Sequence, residues 1–174
     1  KESGKFIISY GEAYTQSAYY LASVSDKIYM LPDGVLDIHG ISSQSMFYKH
    51  LLEKLDIEMQ IIRPANNKFK SAVEPYFLDE MSDANREQTS VYLNSMWNTI
   101  CNDISASRNI KVETINKLAD DMTLMFDTKA AVDNGFIDEL IYKDELLAKL
   151  HELTNTPNNK KLNIIKNTQY TKIK

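Results

Sequence analysis

The segment Lys70-Ser71-Ala72-Val73-Glu74-Pro75 places an amine, a hydroxyl and a carboxylate close together in the chain. A neutral amine can take the proton of a serine hydroxyl, which is the chemistry of a Ser–Lys catalytic pair. A lysine in water has a pKa of about 10.4, and lowering it to roughly 7–8 costs about 3–5 kcal/mol of desolvation. Phe69, Ala72 and Val73 are apolar neighbours that could supply part of a dry wall. Two interpretations of Lys70 therefore stay open at this point: a candidate catalytic base, or an exposed lysine that pairs with Glu74.

Glu74 and Ser71 each have two interpretations. On a helix, Glu74 would lie one turn after Lys70, but an ion pair between them would raise the pKa of the lysine and oppose its use as a base. We therefore expect Glu74 to point elsewhere and to hold backbone groups or a neighbouring subunit. Ser71 either caps a helix or takes part directly in the site.

The stretch from Lys68 to Pro75 resembles the lysine-bearing segment of the signal peptide peptidase A family, also called protease IV. In the long form of that family, the first of two similar halves provides the lysine and the second provides the serine. The resemblance implies that this chain is the N-terminal half, with Lys70 as the catalytic base and Ser71 and Glu74 in supporting roles. The serine would then lie in a C-terminal half outside this sequence.

Other segments match the same family in the same order, from about residue 4 to about residue 150. Residues Ala130 to Asp138 resemble a helix-to-strand turn of the wider ClpP/crotonase superfamily. The remaining matches lie on both sides of the lysine segment, at 11–23, 27–34, 39–40, 48–55, 79–82 and Trp97. The resemblance implies a layered α/β fold of the ClpP/crotonase type, incomplete here because its early strands are missing.

The position of the family's serine is filled differently in this chain. When the sequence is aligned on Tyr19-Tyr20-Leu21, Gln16 falls at that position, and a carboxamide cannot act as an acyl nucleophile. Thr15 and Ser17 flank it, but a shift of one residue turns a side chain by about 100° on a helix. Thr15 has the alternative of capping the helix that follows. We expect this chain alone to be inactive.

The resemblance also implies what the whole protein does. It would be a membrane-attached homo-oligomeric serine endopeptidase that cuts cleaved signal peptides on the outer, periplasmic side of the bacterial cytoplasmic membrane, without a cofactor. No apolar run here is long enough to cross a bilayer, so an anchor would lie upstream. A second class stays open: a non-catalytic ClpP/crotonase-fold scaffold or peptide-holding domain. A Ser-Gly-Gly-type segment in the missing half would support the enzyme.

Composition excludes several other functions. The net charge of −4 over 174 residues, with no basic face, argues against a nucleic-acid partner. His39, His50 and His151 lie on separate predicted elements without metal-ligand spacing, so no metal site is expected. The single cysteine, Cys101, excludes an internal disulfide and falls on the apolar side of a predicted helix, where it would pack.

The apolar pattern predicts strands and helices in alternation over the first part of the chain. Strands are expected at 6–10, 27–31 and 57–62, with helices at 15–25 and 43–55 between them. Pro32-Asp33-Gly34 indicates a turn after the second strand. This order predicts a layered α/β domain, with Lys70 on a loop edge after the third strand. We expect its amine to lie near the surface in this chain and to be covered by the missing half.

Helices are predicted over the remainder. Ser82 is expected to cap a long helix, and a shorter helix follows from Val112 to Met122. Asp127 is expected to cap another, which closes at Gly135, and a further helix is predicted at 143–153. We assign 1–153 to the lysine-bearing domain and 154–174 to a linker and strand, the strand at 161–170, leading toward the missing half.

Overall fold

The computed structural model describes residues 4–62 and 68–171. They form a mixed α/β protein with a small parallel sheet, which confirms the predicted class at this level. The chain divides into two compact units. The first runs to Ile38 and resumes at Met122, and the second extends from His39 to Asp121.

Strands are few and helices many in the described part of the chain. The strands are β1 (Ile8–Tyr14), β2 (Lys27–Leu36) and β3 (Glu139–Leu140). The helices are α1 (Gln16–Ala22), α2 (Lys49–Lys54), α3 (Asp83–Arg108), α4 (Val112–Asp120), α5 (Thr123–Phe126), α6 (Thr128–Asp133), α7 (Lys143–Leu153) and α8 (Asn167–Tyr170).

The first unit is built on the parallel sheet, in the order β1-β2-β3. Helix α1 connects the first two strands, because parallel neighbours need a crossover rather than a tight hairpin. Apolar side chains of the strands and α1 pack with residues around α6 into one core. Its large, fully buried members include Tyr19, Ile28, Met30, Leu36 and Phe136.

The predicted turn at Pro32-Asp33-Gly34 is wrong, because β2 continues through it. The pairing of β1 with β2 shifts between Gly11 and Ala13, so the extra residues of β2 form a bulge opposite this point. A Cβ on Gly34 would lie 2.6 Å from the carbonyl oxygen of Glu12, so this close approach requires glycine. The turn-forming residues therefore mark an irregularity inside the strand.

Helix α6 begins and ends as the sequence predicts. The Oδ1 atom of Asp127 accepts from the backbone N–H groups of Lys129 at 2.9 Å and Ala130 at 3.1 Å. Gly135 follows the helix with a φ of +79°, the left-handed conformation that glycine adopts without strain. These local signals fix the turn that leads into β3.

The last part of the chain is confirmed in one place and wrong in another. Helix α7 has the predicted bounds. The strand predicted at 161–170 is absent, since residues 161–166 have no regular structure and α8 follows. A strand needs a neighbour to pair with, and the sheet of the described residues ends at the short β3.

The second unit contains α2, α3, α4 and a short 3₁₀ helix at Glu74–Tyr76. Ser82 caps α3 as predicted, its Oγ accepting from the backbone N–H of Asn85 at 3.2 Å. Helix α3 ends where Asn109 takes a left-handed φ of 56°. Asp83 lies in the first turn, where a carboxylate interacts favourably with the helix dipole.

Two predictions for the second unit are wrong. The helix expected at 43–55 is reduced to α2, and residues 41–48 are largely irregular. The strand expected at 57–62 is not formed. Its alternating pattern is that of a half-buried strand, but the described residues of this unit contain no other strand to pair with it.

Helices α3 and α4 pack through a small apolar core that contains the only cysteine. Cys101, Ile104 and Ile115 are fully buried. The indole N–H of Trp97 donates to Asn116 Oδ1 at 2.8 Å, and this oxygen lies 3.8 Å from the Cys101 sulfur. The prediction that Cys101 packs in an apolar face is confirmed.

We predict that Cys101 resists alkylation while the protein is folded. Burial raises the pKa of its thiol to about 11, so at pH 8 almost none of it is the reactive thiolate. In the unfolded chain the pKa returns to about 8.5 and a substantial fraction reacts. Iodoacetamide labelling at pH 8, followed by mass spectrometry, should be at least ~100-fold slower in buffer than in urea. Equal rates would contradict this packing.

Candidate functional site

Lys70 lies at the surface of the second unit, between a turn at 68–69 and a turn that starts at Ala72. Its side chain is exposed, as expected for a lysine on a loop edge. Within the described residues of its own unit, no side chain forms a hydrogen bond or an ion pair with its amine. The amine of Lys70 is therefore exposed to solvent and makes no polar contact with a described side chain of its own unit.

The neighbouring lysine has partners that Lys70 lacks. The Lys68 Nζ atom lies 4.0 Å from Glu87 Oε2 and 5.2 Å from the centre of the Phe69 ring. Both charged groups are exposed, so this pair contributes at most about 1 kcal/mol. The Glu87 carboxylate of α3 nevertheless lies beside Lys68.

The backbone after Lys70 is held in a turn. The N–H of Glu74 donates to the carbonyl oxygen of Ser71 at 3.0 Å, and the N–H of Phe77 donates to Glu74 at 3.1 Å. The 3₁₀ helix has Val73 at its N-cap, without a side-chain cap. The capping role considered for Ser71 is therefore wrong, and its direct role in the site stays a prediction.

The Glu74 side chain turns into the protein and is only 3% exposed. Its Oε1 accepts from Ser82 Oγ at 2.6 Å, while its Oε2 accepts from the Ser82 N–H at 3.3 Å and from Asn85 Nδ2 at 3.0 Å. The expectation that Glu74 holds backbone groups is confirmed by the Ser82 contact. None of the ion pairs within the described residues of this unit joins it to Lys70.

The position of Glu74 at the start of α3 is electrostatically favourable. A helix N-terminus carries unpaired N–H groups and a partial positive charge, both of which suit a carboxylate. The same Ser82 hydroxyl that donates to Glu74 accepts from the N–H of Asn85 at 3.2 Å. The carboxylate and the N-cap therefore form one network, which ties the lysine segment to α3.

A second group of contacts holds the segment on another side. The Tyr48 N–H donates to the Pro75 carbonyl oxygen at 2.6 Å, and the Tyr48 and Tyr76 rings stack with centres 6.0 Å apart. One residue further on, Lys49 Nζ donates to Asp79 Oδ2 at 3.0 Å. The pattern of the sequence did not reveal the contacts that Tyr48 and Asn85 make with this segment, because the partners are separated along the chain.

An apolar groove runs beside the lysine segment within the same unit. It has a volume of about 640 Å³ and lies along one face of α3. Phe69 and Tyr92 stay substantially exposed there, which makes the groove available to an apolar ligand. The residues that line it are Phe69, Glu87, Gln88, Val91, Tyr92 and Ser95.

The residues considered as nucleophiles lie in the first unit, at the start of α1. Thr15 is the N-cap, its Oγ1 accepting from the backbone N–H of Ala18 at 3.3 Å, so the capping alternative is confirmed. Gln16 is the first residue of the helix, and Ser17 is exposed. Neither hydroxyl has a base within the described residues of the first unit that would activate it.

Residues 4–62 and 68–171 lack two other features, a metal-binding cluster and a membrane-spanning helix. No three His, Cys, Asp or Glu side chains there converge in a way that could hold a metal ion. None of the helices in the same ranges combines the length and the apolar character needed to span a bilayer.

Comparison with known proteins identifies the family. Residues 1–156 match peptidase family S49. This chain belongs to peptidase family S49. It is 34% identical over 168 residues to Protease 4 of Salmonella typhi, a match covering 91% of this chain and 27% of that protein. Protease 4 of Haemophilus influenzae is 34% identical over 176 residues, covering 98% and 28%.

A more distant relative carries a more specific name. A putative signal peptide peptidase of Enterococcus faecium is 24% identical over 135 residues, covering 76% of this chain and 37% of that protein. The S49 chain thus spans only about a quarter of the length of the two Protease 4 relatives. The activity of a whole enzyme is therefore a matter of proposal.

We predict that this S49 chain alone is not labelled by a serine-directed fluorophosphonate probe. Gln16 offers no nucleophile, and the hydroxyl of Thr15 is engaged at the helix N-terminus. Intact-mass spectrometry after incubation should show no adduct, while a known serine hydrolase in the same tube is fully labelled. Stoichiometric modification of Thr15 or Ser17 would show that the chain has a nucleophile of its own.

Proposed function

We propose that this S49 chain is the lysine-bearing N-terminal half of a Ser–Lys signal peptide peptidase with a layered, ClpP/crotonase-like fold. The serine would come from a C-terminal half outside this sequence. The observation that carries the proposal is the Lys70 segment, whose backbone is anchored at Glu74 and Pro75 while its amine stays unengaged within its unit. The family match and the names of the relatives support the same enzyme class.

The chemistry assigned to Lys70 is that of a general base. Its neutral amine takes the proton as the serine oxygen attacks the carbonyl carbon of the peptide, and the resulting ammonium returns that proton to the leaving amine. Water then attacks the acyl-enzyme ester while Lys70 takes its proton, and the ammonium returns that proton to the serine oxygen as the ester bond breaks and the acid product leaves. Oxyanion donors are assigned to the half that carries the serine.

The exposure of Lys70 implies a second role for the C-terminal half, besides providing the serine. An ammonium group in water is stable, so an effective base must be removed from water when the site assembles. Phe69 and Val73, which lie near the lysine in the sequence, both keep apolar surface exposed to solvent. The remaining wall is assigned to the C-terminal half, which would close over the amine as it brings the serine.

The groove beside α3 supports peptide substrates of apolar character. Its lining combines Phe69, Val91 and Tyr92 with few charges, which suits the apolar core of a signal peptide. Attachment to the outer face of the bacterial cytoplasmic membrane and assembly into a homo-oligomer are further parts of the proposal. Both come from the family resemblance.

We predict that Lys70→Ala lowers kcat of the complete protease by at least ~10²–10⁴-fold, because the general base is lost. Lys70→Arg should restore nothing, since a guanidinium stays protonated at any working pH. Peptide hydrolysis should be measured under saturating substrate, with thermal unfolding as the check that the variants fold.

The matched control is Lys68→Ala, which removes an exposed lysine from the same segment and an ion pair of little energetic value. It should retain kcat within about twofold. Near-normal turnover in Lys70→Ala would instead favour the alternative of a non-catalytic scaffold or peptide-holding domain.

A further inference from the structure

Glu74 is an unusual residue in this protein. Among residues 4–62 and 68–171, it is the only charged side chain that is buried. Burial of a carboxylate is unfavourable unless hydrogen-bond donors replace the lost water, and its three contacts to Ser82 and Asn85 do so. An apolar residue would fill the same space but would leave the Ser82 and Asn85 donors without their acceptor, so the carboxylate serves this network and not packing alone.

The contacts of Glu74 connect two parts of the chain that matter for Lys70. Its backbone N–H closes the turn on the carbonyl of Ser71, the residue directly after Lys70. Its side chain is fixed to the N-terminus of α3, the longest helix of the unit. Lys70 is thereby held one residue away from a turn that cannot shift without breaking a buried, charge-assisted network.

We infer that Glu74 is a positioning residue for Lys70: its carboxylate anchors the turn that carries the lysine to the N-terminus of α3. The inference rests on the proposed function, because the placement of the amine affects a rate only if Lys70 is the base. Glu74 acts through the backbone. Its carboxylate has no ion pair with the amine of Lys70 within the described residues of this unit.

The test uses the complete protease and the variant Glu74→Gln. The carboxamide has nearly the same shape, but its NH₂ group faces donors where the carboxylate accepted, so part of the network is lost. A misplacement of about 1 Å can cost about 10²-fold in rate, so we expect kcat to fall 10–100-fold. The KM should stay within about twofold, because the groove residues are unchanged.

Two further readouts separate positioning from a general structural defect. In a Lys70→Ala background, Glu74→Gln should cause no further loss, since there is no base left to position. The acidic limb of the pH–kcat profile should stay at the same pH, since the Glu74 carboxylate makes no hydrogen bond or ion pair with the amine within the described residues of this unit. Glu80→Gln, at an exposed carboxylate nearby, is the matched control and should behave as the wild type.

Each other result would overturn the inference. An unchanged kcat in folded Glu74→Gln would show that the anchor is dispensable. An equal loss in both backgrounds would indicate a structural role only, and a shifted acidic limb would indicate a direct charge effect. If Lys70→Ala itself keeps its activity, the proposed function fails. If Lys70→Ala is inactive while Glu74→Gln is normal, only this inference fails.

A milder variant decides the matter if Glu74→Gln does not fold. Asn85→Ala removes one donor to Glu74 from a partly exposed helix position and leaves the Ser82 contacts in place. We expect a kcat about threefold lower with an unchanged KM, and again no effect in the Lys70→Ala background. A kcat equal to that of the wild type would overturn the inference.

Discussion

A carboxylate can be buried only where protein donors take the place of water, and this requirement shapes the candidate site. Glu74 meets it with the hydroxyl and N–H of Ser82 and the amide of Asn85. Those donors lie at the start of α3, so the helix must begin at Ser82 and the 3₁₀ turn must face it. These two facts determine the position of Lys70, because the turn starts at Ser71, the residue directly after it. The geometry of the lysine is thus fixed at a distance from the lysine itself.

The proposed role of Lys70 as a general base would need both a defined position and a dry surrounding, and this chain supplies them unequally. The anchored turn gives the position, while the exposure of Lys70 leaves the second requirement unmet in its own unit. A dry pocket formed before assembly would force an uncompensated ammonium into an apolar site, at a cost of several kcal/mol. If the Lys70 amine is removed from water only when a second half closes over it, this cost is incurred only when the serine arrives. An exposed lysine on a rigid turn therefore fits a divided site better than a buried one would.

The sequence predicts those features of the fold that depend on local interactions. Thr15, Ser82 and Asp127 cap helices as their side chains allow, and α7 has the predicted bounds. The errors concern strands, which depend on partners elsewhere in the chain. Residues 57–62 alternate as a strand would, yet no strand of their unit lies within the described residues to pair with them. The glycine and proline in β2 signal a turn, but the register of β1 makes them a bulge. Neither outcome can be read from a local pattern.

For the site, the sequence identifies the segment and leaves the geometry open. On a helix, the spacing of Lys70 and Glu74 would place them on one face, where an ion pair could form. That face does not exist, because the 3₁₀ helix starts at Glu74 and Lys70 precedes it in a different conformation. The exposure of Lys70 also bears on the alternative of a non-catalytic scaffold. An exposed lysine is compatible with any surface, so its presence alone decides nothing. The buried carboxylate behind it is more informative, because it accepts from donors at the start of α3 and so fixes the turn as well as filling space. A network that fixes one turn has a purpose if the residue directly before that turn, Lys70, must meet a reacting atom.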